Sequence, residues 1–302
     1  MSHDDRLFLV TGATGKTGGG ALKLLLEGGH RVRAMVHSED GRSRALAEAG
    51  AEVAVADLHD LDAMTSALQG VTGAYFCHPI LPGLVEATVI FAQAATEAGV
   101  RSVVNMSQIS ARREAGSDAA RQHWLCERLL DRTDLLTTHI RPTFFAEWLK
   151  LWWEKRDGEG YLRLPFGEGR HAPIASADQS RVIAALLLQP EPHNRAAYSL
   201  HGPVEMNHHE IAKAMAAELG HPVHYEPISV EEFSASGLAK GADAHLVQHL
   251  SNVAIDYRNG VFSGTNDVVE KIGGRPPLSV AEFVRENRAD LATSGPRFVP
   301  AP

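Results

Sequence analysis

Cysteine is scarce in this chain: Cys77 and Cys126 are the only two. They supply no disulfide framework and lack the Cys-x-x-Cys spacing of zinc or redox sites, which suits a reducing compartment, so a cytoplasmic protein is expected. Basic residues are in deficit, with 29 Lys and Arg against 37 Asp and Glu for a net charge of -8, and no segment clusters them. Nucleic acid is therefore not an expected partner. Long apolar runs are missing too. None reaches the roughly 20 residues of a membrane span, and the polar start Met1-Ser-His-Asp-Asp-Arg6 has no signal-peptide pattern, so no membrane association is expected. Aromatic residues make up only 6%, so any local concentration of them stands out. What remains is a globular composition, 44% hydrophobic and 22% charged over 302 residues. That is enough for one large domain or two modest ones at roughly 100–200 residues each.

The apolar pattern alternates between short runs and helical spacing. Leu7–Val10 reads as a strand closed by Thr11-Gly12, and Ala21, Leu22, Leu24 and Leu25 recur at helical intervals over 16–27. The same alternation predicts strands at 31–36, 52–55, 74–77, 101–106 and 135–140, with helices at 42–49, 61–68, 84–98 and 119–130. This is an α/β class: a doubly wound parallel sheet with helices on both faces and right-handed crossovers. From Arg141 the rhythm breaks at Pro142, an aromatic cluster and the Gly-rich Asp157-Gly-Glu-Gly160. A smaller, discontinuous C-terminal lobe is expected there. The expected division is 1–150 for the sheet domain, with 176–203 returning to it through a helix at 178–188 and a strand at 198–200. Segments 151–175 and 204–302 then form the smaller lobe, and the tail 294–302 reads as loosely ordered.

Gly12-Ala-Thr14-Gly15-Lys16-Thr17-Gly18 lies between the first strand and the first helix. Gly12 permits a tight turn, Gly15 lets backbone approach a pyrophosphate, and Gly18 lets the helix pack close to the strand, with the helix N-terminus toward the phosphates. This is the dinucleotide-binding, Rossmann arrangement. A P-loop would need a glycine where Val10 stands, so triphosphate hydrolysis is set aside. A carboxylate ending the second strand would bind a ribose hydroxyl and an arginine a 2′-phosphate. Position 37 is His, followed by Ser38, Glu39 and Asp40, then Arg42 and Arg44.

The wider spacing of the first two glycines resembles the short-chain dehydrogenase/reductase superfamily, and further stretches resemble its atypical NmrA-like branch. These are Arg31-Val-Arg-Ala-Met-Val-His37, Ala56-Asp57-Leu58, His123-Trp-Leu-Cys-Glu127, His139-Ile-Arg-Pro142 with Phe145, Ala177-Asp178-Gln179 and Tyr198-Ser-Leu-His-Gly-Pro203. The resemblance spans Leu7 to about Asn287. It implies a nicotinamide dinucleotide across the carboxyl ends of the strands, NADP(H) in preference to NAD(H), with Arg42 standing near a Lys of NADP-binding members. It further implies cofactor contacts from Gly12, Thr14, Gly15, Lys16, Thr17, Gly18, His37, Arg42, Asp57, Leu58, His78 and Pro79. The superfamily's Tyr-x-x-x-Lys is replaced by His123-x-x-x-Glu127, two side chains on one helical face, and Ser107 aligns with its catalytic serine. His123, Ser107 and Glu127 are thus the catalytic candidates, His123 as a proton donor or hydrogen-bond partner and Glu127 as an orienting carboxylate.

Phe144, Phe145 and Trp148, with Trp152 and Trp153 close behind, suggest a flat apolar wall for a ring-containing substrate. His208-His209-Glu210 reads as a solvated first helical turn, and the histidines lack the His-Glu-x-x-His spacing of a zinc site, so no metal is expected. The function expected is hydride transfer from NAD(P)H to a quinone-, imine- or enone-like small molecule. The alternative is a redox sensor that binds the dinucleotide without turnover and signals to a protein partner. A homodimer is compatible with either.

Overall fold

A computed structural model describes residues 6–293, so the tail 294–302 lies outside the described residues. The first half alternates strand and helix: β1 (Leu7–Val10), α1 (Lys16–Glu27), β2 (Arg31–Val36), α2 (Gly41–Glu48), β3 (Glu52–Val55), α3 (Leu61–Leu68), β4 (Gly73–Phe76), α4 (Leu84–Glu97), β5 (Ser102–Met106), α5 (Asp118–Leu130) and β6 (Leu136–Pro142). The second half contributes α6 (Trp148–Leu151), β7 (Trp153–Arg156), β8 (Glu159–Leu164), α7 (Ser176–Leu188), β9 (Ala196–Leu200), α8 (His208–Leu219) and β10 (Val223–Pro227). Five helices follow: α9 (Val230–Ala239), α10 (Ala244–Arg258), α11 (Val268–Gly273), α12 (Val280–Glu286) and α13 (Arg288–Thr293). Seven strands form a parallel sheet in the order β3-β2-β1-β4-β5-β6-β9. The doubly wound expectation holds.

All four residues of β1 are buried, because helices cover both faces of a central parallel strand. Its side chains alternate between two cores: Phe8 and Val10 pack with α1 and α7 residues such as Leu22 and Ile183, whereas Leu7 and Leu9 pack with Met64 and Phe91 on the other face. The order reverses direction between β1 and β4, and the crevice beyond the carboxyl ends of those strands is where such sheets bind ligands.

A second sheet, β10-β8-β7, anchors the smaller lobe. The β7–β8 hairpin turns on Asp157 and Gly158, both left-handed at φ of 50° and 85°, the pair of conformations a two-residue type I′ turn demands. Trp153 lies over Gly160, where an added Cβ would come within 1.9 Å of the indole. Helix α11 leaves this lobe and packs its Val269 into the core shared by α1 and α7. Four contacts dock α10 on the entry to α5: Arg112 pairs with Asp256, Gln248 Nε2 donates to the Gly116 carbonyl while its Oε1 accepts the Asp118 N–H, and Ser117 Oγ meets His249 Nδ1. Among the described residues, no helix is long and apolar enough to cross a membrane.

Candidate active site

At the end of β1 the chain turns on Gly12, whose φ of +59° lies in the left-handed region open to glycine. The Gly15 amide closes the turn onto the Gly12 carbonyl at 2.9 Å. A Cβ at Gly18 would lie 2.5 Å from the Gly12 oxygen, so Gly18 is required for the helix to leave the strand at this angle. A Cβ at Gly15 would touch only that oxygen, at 3.1 Å, and otherwise enter open space. No side chain caps α1, and its first turn carries no acidic residue, leaving first-turn N–H groups for an external acceptor. Gly12, Thr14, Gly15 and Lys16 are exposed around the turn, and Thr17 is half-buried. The cradle fits a pyrophosphate: it offers backbone donors, a helix N-terminus and space only a glycine leaves open.

Two hollows lie near the carboxyl ends of the strands, the inner one reaching Thr17 of this turn. The outer one, about 370 Å³, is lined by Met35, Val36, His37, Asp57, Leu58 and His59, with His78 and Pro79. The His59 backbone N–H donates to Asp57 Oδ1 at 2.9 Å and holds that carboxyl below its ordinary range. Arg42 is exposed, and its Nε donates to Asp40 Oδ2 at 2.9 Å, while Asp40 also caps α2 through the Arg42 and Ser43 amides. The inner hollow, about 190 Å³, is walled by Ile80, Met106, Pro142, Phe145, Trp148, Val253 and Phe262. Its polar lining is Thr17, His78, Ser107, Gln108, His123, Thr143 and His249. His78 and Pro79 border both hollows and join them.

Behind the inner hollow lies a buried charge network. Glu127 accepts from Ser107 Oγ at 2.6 Å and from Arg141 Nε at 2.8 Å, with a second Arg141 contact to its other oxygen. Glu127 is completely buried and does not border the cavity, contrary to the expectation that it orients a ligand directly. Charge pairing explains this: Arg141 on β6 draws the carboxylate toward the sheet, where it accepts the hydrogen bond of the Ser107 hydroxyl instead. The Ser107 hydroxyl therefore presents lone pairs to the cavity. His123 does border the cavity, and burial, reinforced by His249 and His78, pushes its imidazole down to about 3. Burial thus keeps it neutral at pH 7, a form that can hydrogen-bond but has no cationic proton to give.

The aromatic cluster divides. Phe145 and Trp148 stack at 5.4 Å and 15° and wall the cavity. Phe144 is fully buried in the core of the smaller lobe with Trp152 and Trp153, which corrects its assignment to the substrate wall. Adjacent residues at the end of β6 point to opposite sides, and only one side faces the cavity. His208 is likewise no solvated residue: it is buried against Phe166 and His171, and burial pushes it down to about 3. Its neighbour His209 stays outside, and Glu210 completes a capping box with Asn207. Sequence reasoning missed Gln108, Thr143 and His249. The one available signal for His249 was its spacing of four from His245, which solvated helices also show.

The profile of the NmrA-like family matches residues 4–257. An NAD(P)H azoreductase of Xenophilus azovorans is 28% identical over 285 residues, 94% of this chain and 98% of that protein. Quinone oxidoreductase 2 of Escherichia coli (strain K12) is 25% identical over 283 residues, 92% of this chain and 97% of that protein. A crystal structure of an NADPH-dependent quinone oxidoreductase from Escherichia coli, complexed with NADPH, superposes with a TM-score of 0.81 at 23% identity, covering 93% of this chain and 99% of that one.

Proposed function

The chain belongs to the NmrA-like family, and from that premise we propose that it is an NAD(P)H-dependent reductase of ring-containing acceptors, quinone-, imine- or enone-like in their chemistry. The observation that carries this reading is the inner cavity itself, an apolar slot walled by the stacked Phe145 and Trp148, with Thr17 of the glycine turn on its lining and His78 shared with the outer hollow. A reduced nicotinamide, when bound, supplies hydride. The chain's residues do the rest. Gly12, Gly15, Lys16, Thr17 and the α1 N-terminus hold the phosphates, Gly18 sets the helix angle, and Thr14 borders the turn. His37, Asp57 and Leu58 line the adenosine end, with His78 and Pro79 at the junction. Phe145 and Trp148 hold the acceptor ring flat and exclude water. His123 hydrogen-bonds the acceptor as a neutral imidazole, and the final proton comes from solvent. Ser107, its own proton committed to Glu127, accepts a hydrogen bond from the cavity.

NADP(H) is the preferred dinucleotide in this proposal, because Arg42 can exchange the Asp40 carboxylate for a 2′-phosphate and gain a bidentate partner. The test is NADPH and NADH oxidation against menadione, an azo dye, an imine and an enone. Turnover of at least one, with a rate that shows no ionisation between pH 6 and 8, is the expected result. Tight dinucleotide binding without oxidation by any acceptor would overturn the reductase and leave a sensor.

A further inference from the structure

Three histidines from different elements border the inner cavity: His78 after β4, His123 on α5 and His249 on α10. Among the described residues they do not converge as a metal ligand set. Their hydrogen bonds decide which proton each presents. His78 Nδ1 lies 2.6 Å from the Pro79 carbonyl, which can only accept, so His78 is the Nδ1–H tautomer and its Nε2 is a bare acceptor. At His249 the assignment runs the other way. Its Nδ1 lies 2.8 Å from Ser117 Oγ, and that hydroxyl already accepts the Ala120 N–H as the cap of α5. Ser117 is fully buried, and among the described residues His249 Nδ1 is the only group its hydroxyl proton meets as a hydrogen-bond acceptor. The hydroxyl proton therefore goes to His249 Nδ1, leaving the ring proton on Nε2. Burial keeps the imidazole neutral at physiological pH, at about 4.

We propose that His249 Nε2–H is a substrate-binding donor, contributed by the smaller lobe, that selects acceptors carrying a lone-pair oxygen or nitrogen on the side away from the dinucleotide. Ser117 is the positioning residue that fixes its tautomer. The polarity of the cavity follows from this. His78 borders both hollows and so marks the dinucleotide side, where an acceptor nitrogen faces the ligand. His249 borders only the inner hollow, where a donor faces it. A quinone carbonyl or an azo nitrogen satisfies that donor, and a plain hydrocarbon ring leaves it unpaired and buried, which costs binding. The α10 docking contacts hold the donor in place, since Arg112 to Asp256 and Gln248 to Gly116 lie on either side of His249 in the chain.

This assignment rests on the reductase reading, and the experiment separates the two. Menadione is the probe. Its KM and kcat are measured with NADPH, and its Kd is measured by calorimetry in the dead-end complex with NADP⁺, which needs no turnover. Replacing His249 by Phe, which keeps the ring and removes the donor, should lower kcat/KM for menadione by about 10²-fold, the order for losing one preorganised donor. The menadione Kd should rise while NADPH affinity stays the same. A Gln at this position places an amide N–H near the lost Nε2, and an Asn places one near Nδ1, so His249→Gln should retain activity that His249→Asn loses. Ser117→Ala should weaken menadione binding, and Ser117→Thr should restore it. A Phe variant with wild-type menadione Kd, or Gln and Asn variants that behave alike, overturns the assignment. Absence of wild-type turnover overturns the reductase reading, and the dead-end Kd still decides the role of His249.

Discussion

At the glycine turn the contacts offered to a ligand come from neighbouring residues of one turn and helix start, whereas the inner cavity draws its polar lining from separate segments: Thr17 on α1, His78 after β4, Ser107 and Gln108 after β5, His123 on α5, Thr143 after β6 and His249 on α10. The first region is set by conformation: a positive φ at Gly12, a bare Cα at Gly15 and close packing at Gly18. The second is set by electrostatics and burial, through a carboxylate that claims the Ser107 proton and histidines held neutral. Changes to the turn should therefore act through shape, and changes around the cavity through charge.

The sharpest separation lies within the turn. Gly15→Val should abolish dinucleotide binding in calorimetry while leaving the melting temperature close to wild type, because the added side chain enters space otherwise open to a ligand. Gly18→Val should instead lower the melting temperature, its Cβ meeting the Gly12 carbonyl oxygen at 2.5 Å. If the two variants lost binding and stability to the same degree, the turn would be a single structural unit and the contrast between its glycines would break.

In the charge network, Arg141→Leu leaves Glu127 buried with only Arg128, 3.6 Å away, to balance it. The expected loss is about 3 kcal/mol of unfolding free energy in urea titration, the low end for an unmatched buried charge. Arg141→Lys should recover part of it. A loss confined to turnover, with stability unchanged, would show that the network is not the structural support the geometry describes.

The smaller lobe makes a pH prediction. His208 is neutral and buried in an aromatic core beside His171, whose burial, with His208 and Arg170 nearby, also holds it well below its ordinary value. Unfolded histidine titrates near 6.5, so between pH 6.5 and about 3 the unfolded chain binds the extra proton. Stability is then full above pH 6.5 and falls on acidification, by about 1.4 kcal/mol per pH unit for each such histidine. Urea unfolding at pH 7 and pH 5 should show the loss, and His208→Phe should make it shallower. An unchanged slope in that variant would place the acid sensitivity elsewhere.

The smallest effect belongs to Arg42. Arg42→Ala should weaken NADPH up to about fivefold and NADH little, the value of one exposed charge contact at roughly 1 kcal/mol. Asp40→Asn should do the opposite by removing the carboxylate charge that Arg42 pairs with, though it also weakens the α2 cap. Equal weakening of both dinucleotides by Arg42→Ala would remove Arg42 as the discriminator.

The alternation of short apolar runs with helical spacing placed the strands of the large sheet, and the glycine turn could be located between β1 and α1 before any coordinates. Those features are local: each depends on residues within a few positions of one another. The hairpin at Asp157-Gly158 rests on an equally local signal, an Asp-Gly pair between strand-like runs, which in the sequence stands out only as a break in rhythm. Phe144 and Phe145 mark where locality ends. Adjacent aromatics with the same composition have opposite fates because the end of β6 separates the smaller-lobe core from the cavity.

The alternation of strands and helices in the large sheet, the turn at Gly12 and the family of the chain are all legible in the linear string. Periodicity and backbone sterics act at short range, so they survive in a linear string. That Glu127 faces Arg141 instead of a ligand, that His123 and His208 are neutral, and that His249 reaches the cavity from the other lobe all depend on long-range packing. Ionisation depends on how much water and which charges surround a group, and those surroundings are assembled from segments more than a hundred residues apart, as Ser117 and His249 are.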